Sequence, residues 1–365
     1  MSVEILDVIP DKLEYWPGET ITGKVILKVK NSSIQSQGIF LNFKGGATVE
    51  IMEQVRRMQS GNRRSSTLIE HYAYPNSENL LSITNFLAGD GRTSLTHREG
   101  DTTYPFSIQL PSHLVSSYYR ISAPIHYRDS GTQCKGQVLY YLEVGMMMAG
   151  MAAHVSQKTI AIHAHLDLTT VPETTQAGEA EATKTFCNCW SCCFGCQSGP
   201  FILKVRTDKR GYLPGETIAF EVEVRNESGR IIREISAQFI EAATMVGQGK
   251  TECAIIPLGE MVVSNQEFRA EDENWRGELV VPMEGTVYPS KLGGGCGIIS
   301  VEYFIKIVAH ANGCGNQDLE VSSSVIIGTC RGGASRVPSA KIKSYLKCKF
   351  NRHSSTFIQY FLINK

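Results

Sequence analysis

The chain has 365 residues, 42% apolar and 20% charged, with 36 basic and 36 acidic side chains. This composition excludes a disordered polymer and a disulfide-stapled miniprotein, and the length suits two domains better than one. The zero net charge hides an asymmetry: residues 331–365 hold eight Lys/Arg and no acid, leaving 28 basic and 36 acidic residues in 1–330, a net −8. Bulk charge therefore gives the body no attraction for nucleic acid, while the tail suits an anionic surface.

The opening stretch, "MSVEILDVIPDKLEY", has neither a basic n-region nor a long apolar run, so it does not read as a signal peptide. Ser2 in place of Gly excludes N-myristoylation. No apolar stretch reaches the roughly 18 residues of a membrane span. The expected compartment is the cytosol, where the eleven cysteines would be reduced and serve metal, lipid or packing rather than disulfides. Without a signal peptide the sequons at Asn31 and Asn226 read as chance, and the same lack opposes an extracellular adhesion sandwich.

In chain order, residues 21–30 alternate: Ile21, Gly23, Val25, Leu27 and Val29 share one face, and Thr22, Lys24, Lys28 and Lys30 the other. That period predicts a half-buried strand. Further strands are expected at 37–43, 67–73, 104–110, 137–144, 158–168 and 201–206. Residues 218–225 alternate most cleanly, with Ile218, Phe220, Val222 and Val224 against Glu221, Glu223 and Arg225. Strands at 277–282, 298–308 and 319–327 follow, while 231–243 fits a helix or a strand. Residues 169–185, rich in Thr, Ala and Glu, read as a linker. Many short strands with few amphipathic helices predict an all-β protein built from sandwiches.

One motif occurs twice. Tyr15-Trp16-Pro17-Gly18-Glu19-Thr20-Ile21 returns 197 positions later as Tyr212-Leu213-Pro214-Gly215-Glu216-Thr217-Ile218. Proline presets φ for a tight turn, glycine supplies the positive φ that follows, and Thr-Ile opens a strand that runs to Asn31 or Asn226. Two such turns, each followed by a strand-rich stretch, imply two related sandwiches in tandem.

Several clusters invite chemistry. Cys187, Cys189, Cys192, Cys193 and Cys196 have zinc-like spacing, but no further Cys-x-x-Cys lies downstream of the cluster, and palmitoylation or plain packing beside Trp190 and Phe194 are alternatives. A zinc- or thiol-dependent redox protein using these cysteines is the competing reading from another class. Gly249-Lys250-Thr251 resembles part of a P-loop, yet Thr244 stands where its first glycine belongs and a strand-like run follows. His163 and His165 share a face with Asp167, which suits a solvated polar face better than a metal site. Arg56, Arg57, Arg63 and Arg64 crowd one expected loop, where guanidinium forks suit phosphate or carboxylate groups. In the tail, Lys341, Lys343, Lys347, Lys349 and Arg352 surround Cys348 ahead of an apolar run, a pattern for contact with an anionic leaflet. Residues 145–151, rich in Met, and the glycines of 293–297 read as core or loop. No catalytic motif is present, so no enzyme and no cofactor are expected.

Four features together resemble the arrestin-domain-containing proteins, or α-arrestins. They are "YWPGETITGKV" closed by Asn31, "HLDLTTVPE" (165–173), the cysteine cluster followed by "SGPFILKVRTDKRGYLPGETI" (198–218), and "IIGT" (326–329). The resemblance implies two tandem arrestin-like, immunoglobulin-like β-sandwich domains at 1–168 and 198–329, a linker with the cysteine cluster at 169–197 and a basic tail at 330–365. It also implies a non-enzymatic cytosolic adaptor. Such an adaptor binds cytosolic segments of transmembrane proteins, near Arg56, Arg57, Arg63 and Arg64, and recruits ubiquitin ligases for endocytosis and sorting. The family does this through Pro-Pro-x-Tyr motifs. This chain contains no Pro-Pro dipeptide, which favours a ligase-independent, retromer-like or signalling scaffold as the alternative.

Overall fold

Among the described residues, strands account for nearly all of the regular secondary structure. The computed structural model describes residues 3–60, 65–122, 131–187, 197–267, 273–283, 285, 287–312 and 318–332. The first half comprises β1 (Val3–Pro10), β2 (Glu14–Tyr15), β3 (Thr20–Val29), β4 (Ile34–Ser36), β5 (Gly38–Ser60), β6 (Ser65–Gly89), β7 (Leu95–His97), β8 (Gly100–Gln109), β9 (Tyr118–Ile121), β10 (Gly131–Met148) and β11 (Met151–Ile162). Sheet β1-β3-β8 packs on sheet β2-β11-β10-β5-β6, with β9 beside β10. The second half comprises β12 (Gly178–Cys187), β13 (Gln197–Thr207), β14 (Gly211–Tyr212), β15 (Thr217–Asn226), β16 (Ile232–Val246), β17 (Thr251–Ser264), β18 (Glu273–Val280), β19 (Ile299–Ala311) and β20 (Leu319–Ile327). Here β12-β13-β15-β18 faces β14-β20-β19-β16-β17. The expected all-β pair of tandem sandwiches is present, and one compact unit, Met1–Ser335, contains both.

The duplicated motif builds the same corner in each sandwich. Gly18 (φ 81°) and Gly215 (φ 85°) take the left-handed position that follows proline in a type II turn. The turns close through Glu19 N–H to Trp16 O (3.1 Å) and Glu216 N–H to Leu213 O (3.0 Å). Each glycine also donates across the sheet, Gly18 N–H to Pro111 O and Gly215 N–H to Val281 O, both at 3.0 Å. Tyr15 and Tyr212 are buried, and each sits in a two-residue parallel bridge to the last strand of its own sheet, β11 and β20. Lys12 and Lys209 lie over these rings and pair with Glu19 and Glu216. In each sandwich the turn thus joins a short bridge to the closing strand with a strand of the opposite sheet.

The structure departs from the sequence reading in several places; the strand expected at 158–168, for one, ends at Ile162. Residues 178–187, expected within the linker, form β12, hydrogen-bonded antiparallel to β13 from Gly178↔Thr207 to Cys187↔Gln197. Its inward positions are Ala180, Ala182 and Phe186, so the alternation is real but its apolar side is small. Strands β5 and β6, expected at 37–43 and 67–73, run 23 and 25 residues. Pro75 and the asparagines of β6 look like turn residues, yet an edge strand accommodates proline. Finally Cys330, Arg331 and Gly332, expected in the tail, fold onto the junction between the halves. Leu168 N–H donates to Cys330 O (3.0 Å), Gly332 N–H to Asp167 Oδ1 (3.0 Å), and Arg331 Nη1 reaches Glu216 Oε1 (3.3 Å). The ambiguous 231–243 lies in β16.

Candidate docking site and the interdomain junction

The long β5–β6 hairpin dominates the first sandwich. Among the described residues β10 supports β5 as far as Gln54↔Gly131, and from Val55 onward β5 pairs with β6 alone, as a two-stranded ribbon. Arg56 and Arg57 stand on this ribbon opposite Ile69 and Leu68. Arg57 Nε lies 3.3 Å from Glu70 Oε2, which also accepts from Tyr72 Oη (2.5 Å). That carboxylate hydrogen bond, ahead of burial, raises the Tyr72 phenol above its ordinary range. Leu68, Ile69 and Tyr72 are exposed beside the arginines, so the ribbon offers charge and apolar surface together. Arg63 and Arg64 lie outside the described residues.

Below the ribbon, the hairpin is pinned to the second sandwich. Asn76 Nδ2 donates to Val246 O (2.9 Å), and Gly297 N–H donates to Glu78 Oε2 (2.8 Å). Lys250 Nζ bridges Glu53 (2.7 Å) and Glu252 (3.2 Å) over the Tyr74 ring. The Lys250 hydrogen bond holds the Glu53 carboxyl below its usual range. The Gly-Lys-Thr string is therefore the turn of the β16–β17 hairpin, with Gly249 at φ 79° and Gly247 N–H bonded to Lys250 O. Its lysine is an interdomain tether.

Deeper in the junction lies a group that the sequence reading missed. Glu241 of β16, fully buried, receives Arg120 of β9 through Nε–Oε1 and Nη2–Oε2 bonds, both 3.0 Å, and the Tyr118 hydroxyl at 3.2 Å. Arg120 lies over the Tyr288 ring at 4.8 Å, and Tyr118 meets Tyr288 edge-on. Burial first, then the Glu241 charge, pushes the Tyr118 phenol far up, so it stays a hydrogen-bond donor. The signal was an acid set in the apolar run "FIEAA".

The remaining candidates separate. Trp16 stacks on His165 (4.4 Å) and lies tilted to His163 (5.4 Å), and His163 Nε2 sits 3.4 Å from Glu14. Asp167 instead accepts from Thr169 N–H, Thr169 Oγ1 and Gly332 N–H. Among the described residues no group of three His, Cys, Asp or Glu is placed to hold a metal. Cys187 ends β12, and Cys189, Cys192, Cys193 and Cys196 lie outside the described residues. So do Lys341, Lys343, Lys347, Cys348, Lys349 and Arg352. Met146 is buried, and Met148↔Met151 closes the β10–β11 hairpin. Among the described residues no helix is long and apolar enough to cross a membrane.

Comparison with known proteins matches the two halves separately. Residues 7–169 match the family model of the arrestin (or S-antigen) N-terminal domain, and residues 197–332 that of the C-terminal domain. The chain is 26% identical over 320 residues to the mouse arrestin domain-containing protein 4, covering 86% of this chain and 68% of that protein. The human protein of that name is 26% identical over 317 residues, with the same coverage. Pig thioredoxin-interacting protein is 23% identical over 341 residues, covering 93% of this chain and 77% of that protein. Tandem sandwiches, a duplicated Pro-Gly corner and both domain matches lead to one conclusion: the chain belongs to the arrestin family, among its arrestin-domain-containing, or α-arrestin, members.

Proposed function

We propose that the chain is a non-enzymatic cytosolic adaptor that binds cytosolic segments of transmembrane proteins and promotes their endocytosis and sorting at the plasma membrane and endosomes. The observation that carries this reading is the β5–β6 ribbon, anchored to the second sandwich at Glu53, Asn76 and Glu78 and bearing exposed Arg56 and Arg57 beside Leu68 and Ile69. An anchored base with a basic, partly apolar ribbon suits an acidic or phosphorylated peptide, because guanidinium groups donate to such oxygens in pairs. In this reading Arg63 and Arg64 extend the same charge, and the tail lysines around Cys348 add contact with an anionic leaflet. These 365 residues contain no Pro-Pro-x-Tyr motif, so any ubiquitin ligase that they themselves recruit is held by another route. Fluorescence anisotropy with paired phosphorylated and unphosphorylated acidic peptides tests it. Tighter, salt-sensitive binding of the phosphorylated peptide, lost when Arg56, Arg57, Arg63 and Arg64 become Ala, is expected. Indifference to both phosphate and arginine would remove the ribbon from the account.

A further inference from the structure

The edges of the sheets differ in how they are guarded. β1, β6, β8 and β17 carry Pro10, Pro75, Pro105 and Pro257, which blunt strand addition. β12 packs along β20. β18 (Glu273–Val280) has no proline, and its second edge pairs with no strand among the described residues.

Its sequence is self-complementary. Arg276 and Glu278 point outward, two residues apart, while Trp275, Gly277 and Leu279 point toward the core. An antiparallel pair of β18 strands centred on Gly277 sets Arg276 opposite Glu278 of the second copy, and Glu278 opposite its Arg276. On the other face the same register sets Trp275 opposite Leu279. Charge alternation within the sheet points the same way. The row Glu179–Arg206–Glu221–Arg276 crosses all four strands with alternating sign, tied at its ends by ion pairs of 3.4 Å and 2.6 Å. Glu278 of a second copy continues that row in sign, and it has no ion-pair partner among the described residues. Val280 and, on neighbouring β17, Val262 and Ile255 are more than half exposed, leaving apolar surface at this edge.

We propose that β18 is a homodimerisation edge, at which two copies of this chain join their four-stranded sheets into one eight-stranded sheet about a two-fold axis at Gly277. Such an isologous contact uses each ion pair twice. Pro257 prevents the adjacent β17 strands from pairing, so the register is set by β18 alone. A contact this short gives a reversible, concentration-dependent dimer. A dimer also presents two β5–β6 ribbons, which raises avidity for clustered membrane cargo.

Sedimentation velocity of the full chain from about 1 to 100 μM, a range spanning weak association, tests the proposal. The unaltered chain should shift toward dimer with concentration. Glu278→Lys and Arg276→Glu should each weaken the dimer roughly tenfold or more, since each sets like charges opposite one another twice. Mixing the two variants should restore it, because Arg276 then meets Glu278 and Lys at 278 meets Glu at 276. Both positions are exposed, and unaltered melting curves will show that the variants fold. A chain that stays monomeric, a dimer indifferent to either reversal, or a mixture that fails to associate would overturn the proposal.

Discussion

Arg120 and Glu241 meet across the boundary between the two sandwiches, one on β9 and the other on β16, in a two-pronged ion pair that no water-facing surface screens on the glutamate side. Removing one partner strands a buried charge. We expect Glu241→Ala to cost about 3–5 kcal/mol, whereas replacing both residues by apolar ones of similar volume recovers most of it. Urea unfolding of the single and double variants checks this. A loss below about 1 kcal/mol in Glu241→Ala would show that the pair is no interdomain anchor.

The Pro-Gly corner makes a sharper contrast. Gly18→Ala meets no atom within 4 Å, so only the positive φ opposes it and the cost should be about 1–2 kcal/mol. Gly23→Ala sets a Cβ 2.4 Å from Ile9 O, where β1 and β3 are in contact, so its cost should be larger, roughly 3 kcal/mol or more. Equal midpoints in urea would contradict the assignment.

Where the chain is cut should matter at the junction. Ending it after Thr329 deletes the bonds of Cys330, Arg331 and Gly332 to Leu168, Glu216 and Asp167. Ending it after Ser335 keeps them. The shorter chain should lose about 1–3 kcal/mol relative to the longer, read by calorimetry.

Alkali should destabilise the fold through its buried thiol and phenol groups. Burial pushes the Cys134 thiol up to about 11 and the Tyr212 phenol up to about 12. The unfolded chain ionises these groups near their ordinary values, so it releases protons first. Their stabilising effect is whole below their ordinary values, near 9 for the thiol and 10 for the phenol, and is lost as pH rises through 11 for Cys134 and 12 for Tyr212. The urea midpoint should therefore fall between pH 9 and 12. At pH 8, iodoacetamide should label exposed Cys253 well before Cys134.

Much of this fold was legible because alternation is a strong signal where inward residues are large. β15 buries every second residue as read, and the Pro-Gly turn named its own corner twice. β12 escaped because alanine fills two of its inward positions, and β6 because an edge strand retains the proline and asparagines that elsewhere end strands. The arginine pair at 56 and 57 was visible as charge, but the ribbon that holds it was not, since it arises where β5 and β6 go on pairing with each other past the last described pair with β10. Glu241 was visible only as an oddity. Its partner lies 121 residues away, and no local pattern joins them.

Adaptor function through the β5–β6 ribbon has a direct readout in the proteins that surround the chain. Proximity labelling in living cells, followed by mass spectrometry, tests it most directly. Three chains are compared: full length, a form with Arg56, Arg57, Arg63 and Arg64 changed to Ala, and one ending at Ser335. The account predicts enrichment of transmembrane receptors or transporters and endocytic proteins with the full chain. It also predicts loss of the transmembrane proteins with the arginine variant, and a weaker membrane neighbourhood without the tail. Absence of membrane cargo from the full-length neighbourhood would contradict it.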